Sequence, residues 1–196
     1  MSADRARFLG AAGTPGGGPP PGPPEIAVAG RSNVGKSSLL NAFVGQRGLA
    51  RISGTPGRTR QINFFLIEDR FVLVDLPGYG FAVGPEEERL AWGPLVEHYL
   101  AKRGTLRGAL VLVDVRRGIE EDEEQLLAYL ARLGIPAVVV ATKADKLGRA
   151  PLRAAVAALE RVLGESVPVV AFSARTGAGR PELWRVVTRW LAAASA

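Results

Sequence analysis

The chain has no cysteine and a single histidine in 196 residues. Disulfides, thiolate metal sites and cysteine nucleophiles are therefore excluded, and the missing thiols fit a reducing compartment. The one histidine, His98, lies outside every motif described below and reads as a surface or packed side chain. No apolar run approaches the roughly 20 residues of a membrane span. The N-terminal stretch also lacks the apolar centre of a secretory signal. No membrane partner and a cytoplasmic location are expected. Acidic residues are fewer than basic ones, 19 against 25, for a net charge of +6. That balance permits a polyanionic partner without requiring one. Regular periodicity is missing from Met1 to Pro24. Its Gly13–Pro24 part, rich in glycine and proline, can be neither helix nor central strand. We read 1–24 as an arm, with Arg7-Phe8-Leu9 a candidate short edge strand, and 25–196 as one domain.

What the chain does contain begins at Gly30-Arg31-Ser32-Asn33-Val34-Gly35-Lys36-Ser37-Ser38, a G-x-x-x-x-G-K-[ST] sequence. The apolar run Glu25 to Ala29 leads in as a buried strand, and Ser38 to Val44 leads out with helical spacing. Strand, glycine-rich turn and helix form the arrangement that phosphate binding needs. Glycines let the backbone wrap the anion, so that successive N–H groups and the positive helix end face it. Lys36 would reach the β- and γ-phosphates, and Ser37 would ligate Mg²⁺ through its hydroxyl.

Gly45 to Arg60 has no periodicity and reads as a mobile loop, with Thr55 and Thr59 both able to offer a hydroxyl to Mg²⁺. Gln61–Ile67 and Arg70–Val74 are strand-like and separated only by Glu68-Asp69, which predicts an antiparallel hairpin. The second strand delivers Asp75-Leu76-Pro77-Gly78, where Asp75 would hold Mg²⁺ through water and Gly78 N–H would sense the γ-phosphate. Tyr79 to Glu88 reads as a second flexible stretch. Beyond it, strands at 109–114, 135–141 and 167–171 alternate with helices, and Glu120–Glu124 open one of these with charge that complements the helix dipole. The alternation predicts a doubly wound α/β domain of the P-loop NTPase, Ras-like type. Its sheet should be mainly parallel and six-stranded, with one antiparallel hairpin strand and the motifs at the C-terminal strand ends.

The base is read from Thr142-Lys143-Ala144-Asp145, a [N/T]-K-x-D sequence after a buried strand. The Asp145 carboxylate can accept from both N1–H and the exocyclic amine of guanine, a donor pair adenine lacks. The Lys143 stem would lie against the base, and Ser173-Ala174, after Phe172, would offer a backbone N–H to guanine O6. GTP and GDP are the expected ligands.

Taken together, these motifs resemble the EngB-type GTPases of the TrmE–Era–EngA–EngB–septin group. The resemblance is carried by Gly30–Ser38, Thr55-Pro56-Gly57-Arg58-Thr59, Ile62–Phe65, Asp75-Leu76-Pro77-Gly78-Tyr79-Gly80, Thr142–Asp145 and Phe172–Ala174. It implies a role in assembly of the large ribosomal subunit, with that precursor and its rRNA as partners and a monomeric protein. It also implies that Thr59 is the switch Mg²⁺ ligand and that Gly57, Arg58, Thr59, Arg60 and Gln61 belong to the nucleotide site. Lys36, Thr59 and Gly78 are the expected catalytic set. Tyr79 stands where many GTPases carry a water-orienting glutamine, so slow intrinsic turnover is expected. Asn33 is a candidate K⁺ ligand, against the alternative that asparagine simply suits the loop. Arg58 and Arg60 are open between charge supplied in cis and solvation. A rival class, an RNA-binding assembly protein that uses GTP only as a structural ligand, differs in predicting no hydrolysis.

Overall fold

The computed structural model describes residues 6–50, 61–79 and 93–193. The elements run β1 (Ala6–Ala12), β2 (Glu25–Gly30), α1 (Lys36–Val44), β3 (Ile62–Ile67), β4 (Phe71–Asp75), α2 (Gly93–Lys102), β5 (Leu106–Asp114), α3 (Glu121–Arg132), β6 (Ala137–Thr142), α4 (Arg149–Leu163), β7 (Val169–Ala171) and α5 (Arg180–Ala193). The sheet order is β1-β3-β4-β2-β5-β6-β7. The β4, β2, β5, β6 and β7 strands are parallel, and β3 is antiparallel to both β4 and β1. The sheet therefore has seven strands, not the six expected. The seventh is β1, which includes Arg7-Phe8-Leu9 and pairs with β3 from Ala6↔Ile67 to Ala12↔Ile62.

The central strands are buried on both faces, which is why they read as continuous apolar runs. Ile26 and Val28 face α1 and α5, while Ala27 and Ala29 face the layer of α2, α3 and α4. The β3–β4 hairpin turns through Glu68 and Asp69, both at positive φ (48° and 53°), the conformation a two-residue hairpin favours.

At the N-terminal end of β2, opposite the phosphate-loop end, Glu25 is 1% exposed. Its carboxylate accepts from Arg103 Nε (2.8 Å), Tyr99 Oη (2.9 Å) and Thr105 Oγ1 (2.9 Å). Arg103 also donates to Pro19 O (3.0 Å) and lies over the Phe64 ring, so this buried pair ties the proline-rich segment to the sheet.

Candidate nucleotide site

The sheet's parallel strands end together at one rim, and four motif segments converge there. The loop from Gly30 to Gly35 leaves β2 and enters α1 at Lys36. Asn33 sits in the left-handed region (φ 62°) and Gly35 at φ 111°, so the loop doubles back on itself before the helix begins. Lys36 Nζ donates to Gly30 O (2.8 Å) and Arg31 O (3.3 Å). Burial pulls the lysine below its ordinary pKa, and the charge of Asp75 opposes that shift.

Asp75 ends β4 and is 8% exposed. Burial pushes its carboxyl up to about 6, against the opposing pull of Lys36. Its Oδ1 is buried without a hydrogen-bond partner among the described residues. A buried, unmatched carboxylate beside a phosphate loop is a donor that a hard cation would satisfy. Three residues on, Gly78 lies so close to the loop that a Cβ there would stand 2.9 Å from Lys36 Nζ and 2.8 Å from Ser32 Oγ. A side chain there would displace the Lys36 ammonium and the Ser32 hydroxyl. Tyr79, expected to open a flexible stretch, is instead buried, and its carbonyl accepts Ser32 N–H at 2.9 Å.

The guanine-type segments lie at the ends of β6 and β7. Thr142 Oγ1 is 2.8 Å from Val34 O and 3.0 Å from Val113 O, which locks the phosphate loop to β6. Lys143 adopts φ 60° and places Nζ 2.9 Å from Asn33 O and 3.0 Å from Asp114 Oδ2. Arg116, with Lys143 adding to it, holds the Asp114 carboxyl well below the usual range. Asp145 Oδ1 accepts from Ser173 Oγ at 2.7 Å, and that bond lowers its pKa. Ser173 is therefore a side-chain anchor for Asp145. Its N–H, offered above as a donor to the base, is already given to Ala178 O (3.0 Å). Phe172 and Ala174, unlike Ser173, line the cleft between these loops and α1. That cleft measures about 780 Å³ and is also lined by Val34, Ser38, Lys143 and Asp145.

The structure thus brings Gly30–Ser38, Asp75–Gly78, Thr142–Asp145 and Phe172–Ala174 to one rim of the sheet. Gln61 is exposed at the entry to β3. Thr55, Gly57, Arg58, Thr59, Arg60 and the 80–88 segment lie outside the described residues. Residues 45–50, read above as the start of a mobile loop, are pinned. Asn41 pairs with Ala50 through both its amide groups (2.9 and 3.0 Å), and Gln46 does the same with Ala6 (3.1 Å each). Asp114 was not singled out by the sequence, because a lone aspartate at a strand end carries no spacing signal. His98 is exposed on α2, away from these motifs. No helix among the described residues is long and apolar enough to cross a membrane.

A seven-stranded α/β sheet carrying a glycine-rich phosphate loop, a D-x-x-G turn packed on it and a T-K-x-D loop beside it defines a P-loop GTPase domain. Comparison with known proteins agrees. A family described as "50S ribosome-binding GTPase" matches residues 25–143, and the "Elongation factor Tu GTP binding domain" matches 99–193. The chain is 47% identical over 193 residues to "Probable GTP-binding protein EngB" of Pelotomaculum thermopropionicum, covering 97% of this chain and 98% of that one. It is 49% identical over 170 residues to the EngB protein of Gemmatimonas aurantiaca, covering 86% and 83%. A solved structure of a probable GTP-binding protein EngB superposes with a TM-score of 0.68 at 26% identity, covering 85% of this chain and 98% of that one. The chain belongs to the EngB family of GTP-binding proteins, and it is a GTPase.

Proposed function

We propose that the protein is a nucleotide-dependent switch in assembly of the large ribosomal subunit, binding precursor particles when loaded with GTP and releasing them after hydrolysis. The observation that carries this reading is the family match over residues 25–143, a family whose description is binding of the 50S ribosome.

In this reading the triphosphate lies along Gly30–Ser38, and guanine sits between Lys143, Asp145 and the Ala174 N–H. Gly57, Arg58, Thr59, Arg60 and Gln61 complete the set of nucleotide-binding residues. Mg²⁺, which GTPases of this kind generally use, would be held by Ser37, Thr59 and, through water, Asp75. The unmatched Oδ1 of Asp75 supports that donor set. The cation would neutralise charge on the β- and γ-phosphates. Water attacks the γ-phosphorus, the bond to the β–γ bridging oxygen breaks, and GDP, phosphate and a proton leave. Lys36 offsets the charge that builds on the phosphates. Gly78 N–H holds a γ-oxygen in line. Tyr79 orients no water, so intrinsic turnover is slow.

Exposed Arg47, with Arg51, Arg58 and Arg60 on the same loop sequence, forms a basic set for rRNA phosphates; Arg149, Arg153, Arg185 and Arg189 on α4 and α5 form the alternative one. Co-sedimentation with large-subunit precursors should be strong with a non-hydrolysable GTP analogue and weak with GDP. It should also fall with salt at a log–log slope of about −0.7 to −0.9 per phosphate contacted. Equal co-sedimentation in both nucleotide states would refute the switch. Normal binding by Arg47→Glu with Arg51→Glu would move the contact to α4 and α5.

A further inference from the structure

The turn after β4 is pinned at both of its ends. Leu76 N–H donates to Val28 O (3.0 Å), and Ser32 N–H donates to Tyr79 O (2.9 Å). Arg31 and Tyr79 form a one-residue parallel bridge beyond the end of the sheet. Between these two pins lies Gly78, packed on Lys36 and Ser32.

Both bridged residues then reach the same place, the first turn of α3. Arg31 Nη1 donates to Glu120 Oε2 (2.6 Å) and Asp122 Oδ2 (3.2 Å). Burial, with the Glu123 carboxyl group beside it, raises the pKa of the Tyr79 phenol, and the ring packs in one cluster with Leu126 and Leu127 of α3. Glu123 is itself fixed, because its Oε2 accepts Glu120 N–H at 3.0 Å and so caps the helix. Acidic residues in a first turn are accounted for by the helix dipole alone. Pairing them with the two residues that bridge the phosphate loop to the D-x-x-G turn is a separate fact, and the dipole does not explain it.

We propose that the acidic first turn of α3 is a positioning element for the γ-phosphate-sensing turn: through Arg31 and Tyr79 it holds Gly78 against Lys36. This rests on the assignment of Gly78 to the γ-phosphate made above. GDP has no group at that position. A clasp that pre-organises Gly78 therefore lowers the ordering cost of GTP binding and leaves GDP binding unaltered. It also keeps the Tyr79 ring buried in the cluster that includes Leu126 and Leu127 of α3.

The test uses Tyr79→Phe, which deletes one oxygen, and Glu120→Gln with Asp122→Asn, which keeps size but removes the charge facing Arg31. Affinities for a fluorescent GDP and a fluorescent non-hydrolysable GTP analogue are titrated with Mg²⁺ present. Each variant should weaken the GTP analogue about two- to tenfold, the range of one net hydrogen bond, with GDP unchanged. The combined variant should lose less than the product of the two effects, because both act on one clasp. Equal weakening of both nucleotides, or no change in either, would overturn the proposal. A Gly78→Ala variant that loses no preference for the GTP analogue would instead overturn the Gly78 assignment. Should Tyr79→Phe melt far below the wild type, the Glu120/Asp122 variant decides alone.

Discussion

Replacing Asp75 by asparagine separates the stability cost of this carboxylate from its use. Burial raises its pKa from 3.8 to about 6, a shift of about two units. At 1.36 kcal/mol per unit, the ionised side chain costs the nucleotide-free fold about 3 kcal/mol once pH is well above 6. The sign follows from the direction of the shift. A raised native pKa means the native state holds the proton more tightly than the unfolded chain does. The associated stability is complete below about pH 4 and is lost as pH rises through about 6. Asparagine is isosteric and does not ionise. Asp75→Asn should therefore match the wild type near pH 4 and exceed it by about 3 kcal/mol at pH 8. For a domain of this size that is on the order of 6–12 °C in melting temperature. The assay is thermal melting of nucleotide-free protein in EDTA from pH 4 to 8, read as variant minus wild type so that other carboxylates cancel. Adding Mg²⁺ and GDP at pH 8 should then stabilise the wild type more than the variant. A difference that does not vary between pH 4.5 and pH 8 would sink the argument that burial of Asp75 outweighs its attraction to Lys36.

Three further outcomes are expected. Asp145→Asn turns one of two acceptors into a donor, so competition binding should move preference from GTP toward xanthosine triphosphate; unchanged preference would remove Asp145 from the base site. Glu25→Ala strands Arg103, which is 13% exposed, and should cost about 3–5 kcal/mol in denaturant unfolding while the GTP-to-GDP affinity ratio stays constant. If Asn33 ligates K⁺, hydrolysis should run faster in K⁺ than in Na⁺, and Asn33→Gly, which tolerates the loop's φ of 62°, should erase the difference without the strain an alanine adds there; equal wild-type rates in the two salts would leave Asn33 as a loop residue.

The central fold was legible because its signals are local. Buried parallel strands appear as unbroken apolar runs, and β5 and β6 stand where Ala109–Asp114 and Ile135–Ala141 place them to within three residues. The hairpin was legible because only Glu68-Asp69 separate two strand-like segments. The edge strand was harder. Ala6–Ala12 has four small residues and an irregular register at Phe8/Gly10, so its alternation is weak. Its pairing comes from outside the segment: the β3 backbone, and the Gln46 side chain that joins Ala6 through both amide groups.

The site divides along a similar line. Residues whose role follows from spacing, such as Lys36, Asp75 and Asp145, could be picked out from the chain. The orienting role of their partners could not be read there, because those spacings are set by the fold. Asp114 meets Lys143 only where β5 and β6 end side by side. Ser173 reaches Asp145 across 28 positions. Tyr79 shows the limit most sharply. From sequence it marks an absent glutamine, a statement about what the turn cannot do. In the fold its carbonyl takes Ser32 N–H, its backbone bridges Arg31 and its phenol meets Glu123. The same residue thus joins the phosphate loop to a helix more than 40 residues further along the chain. On the proposed assignment of Gly78 to the γ-phosphate, a partner that contacts α3 would act on that turn through Arg31 and Tyr79.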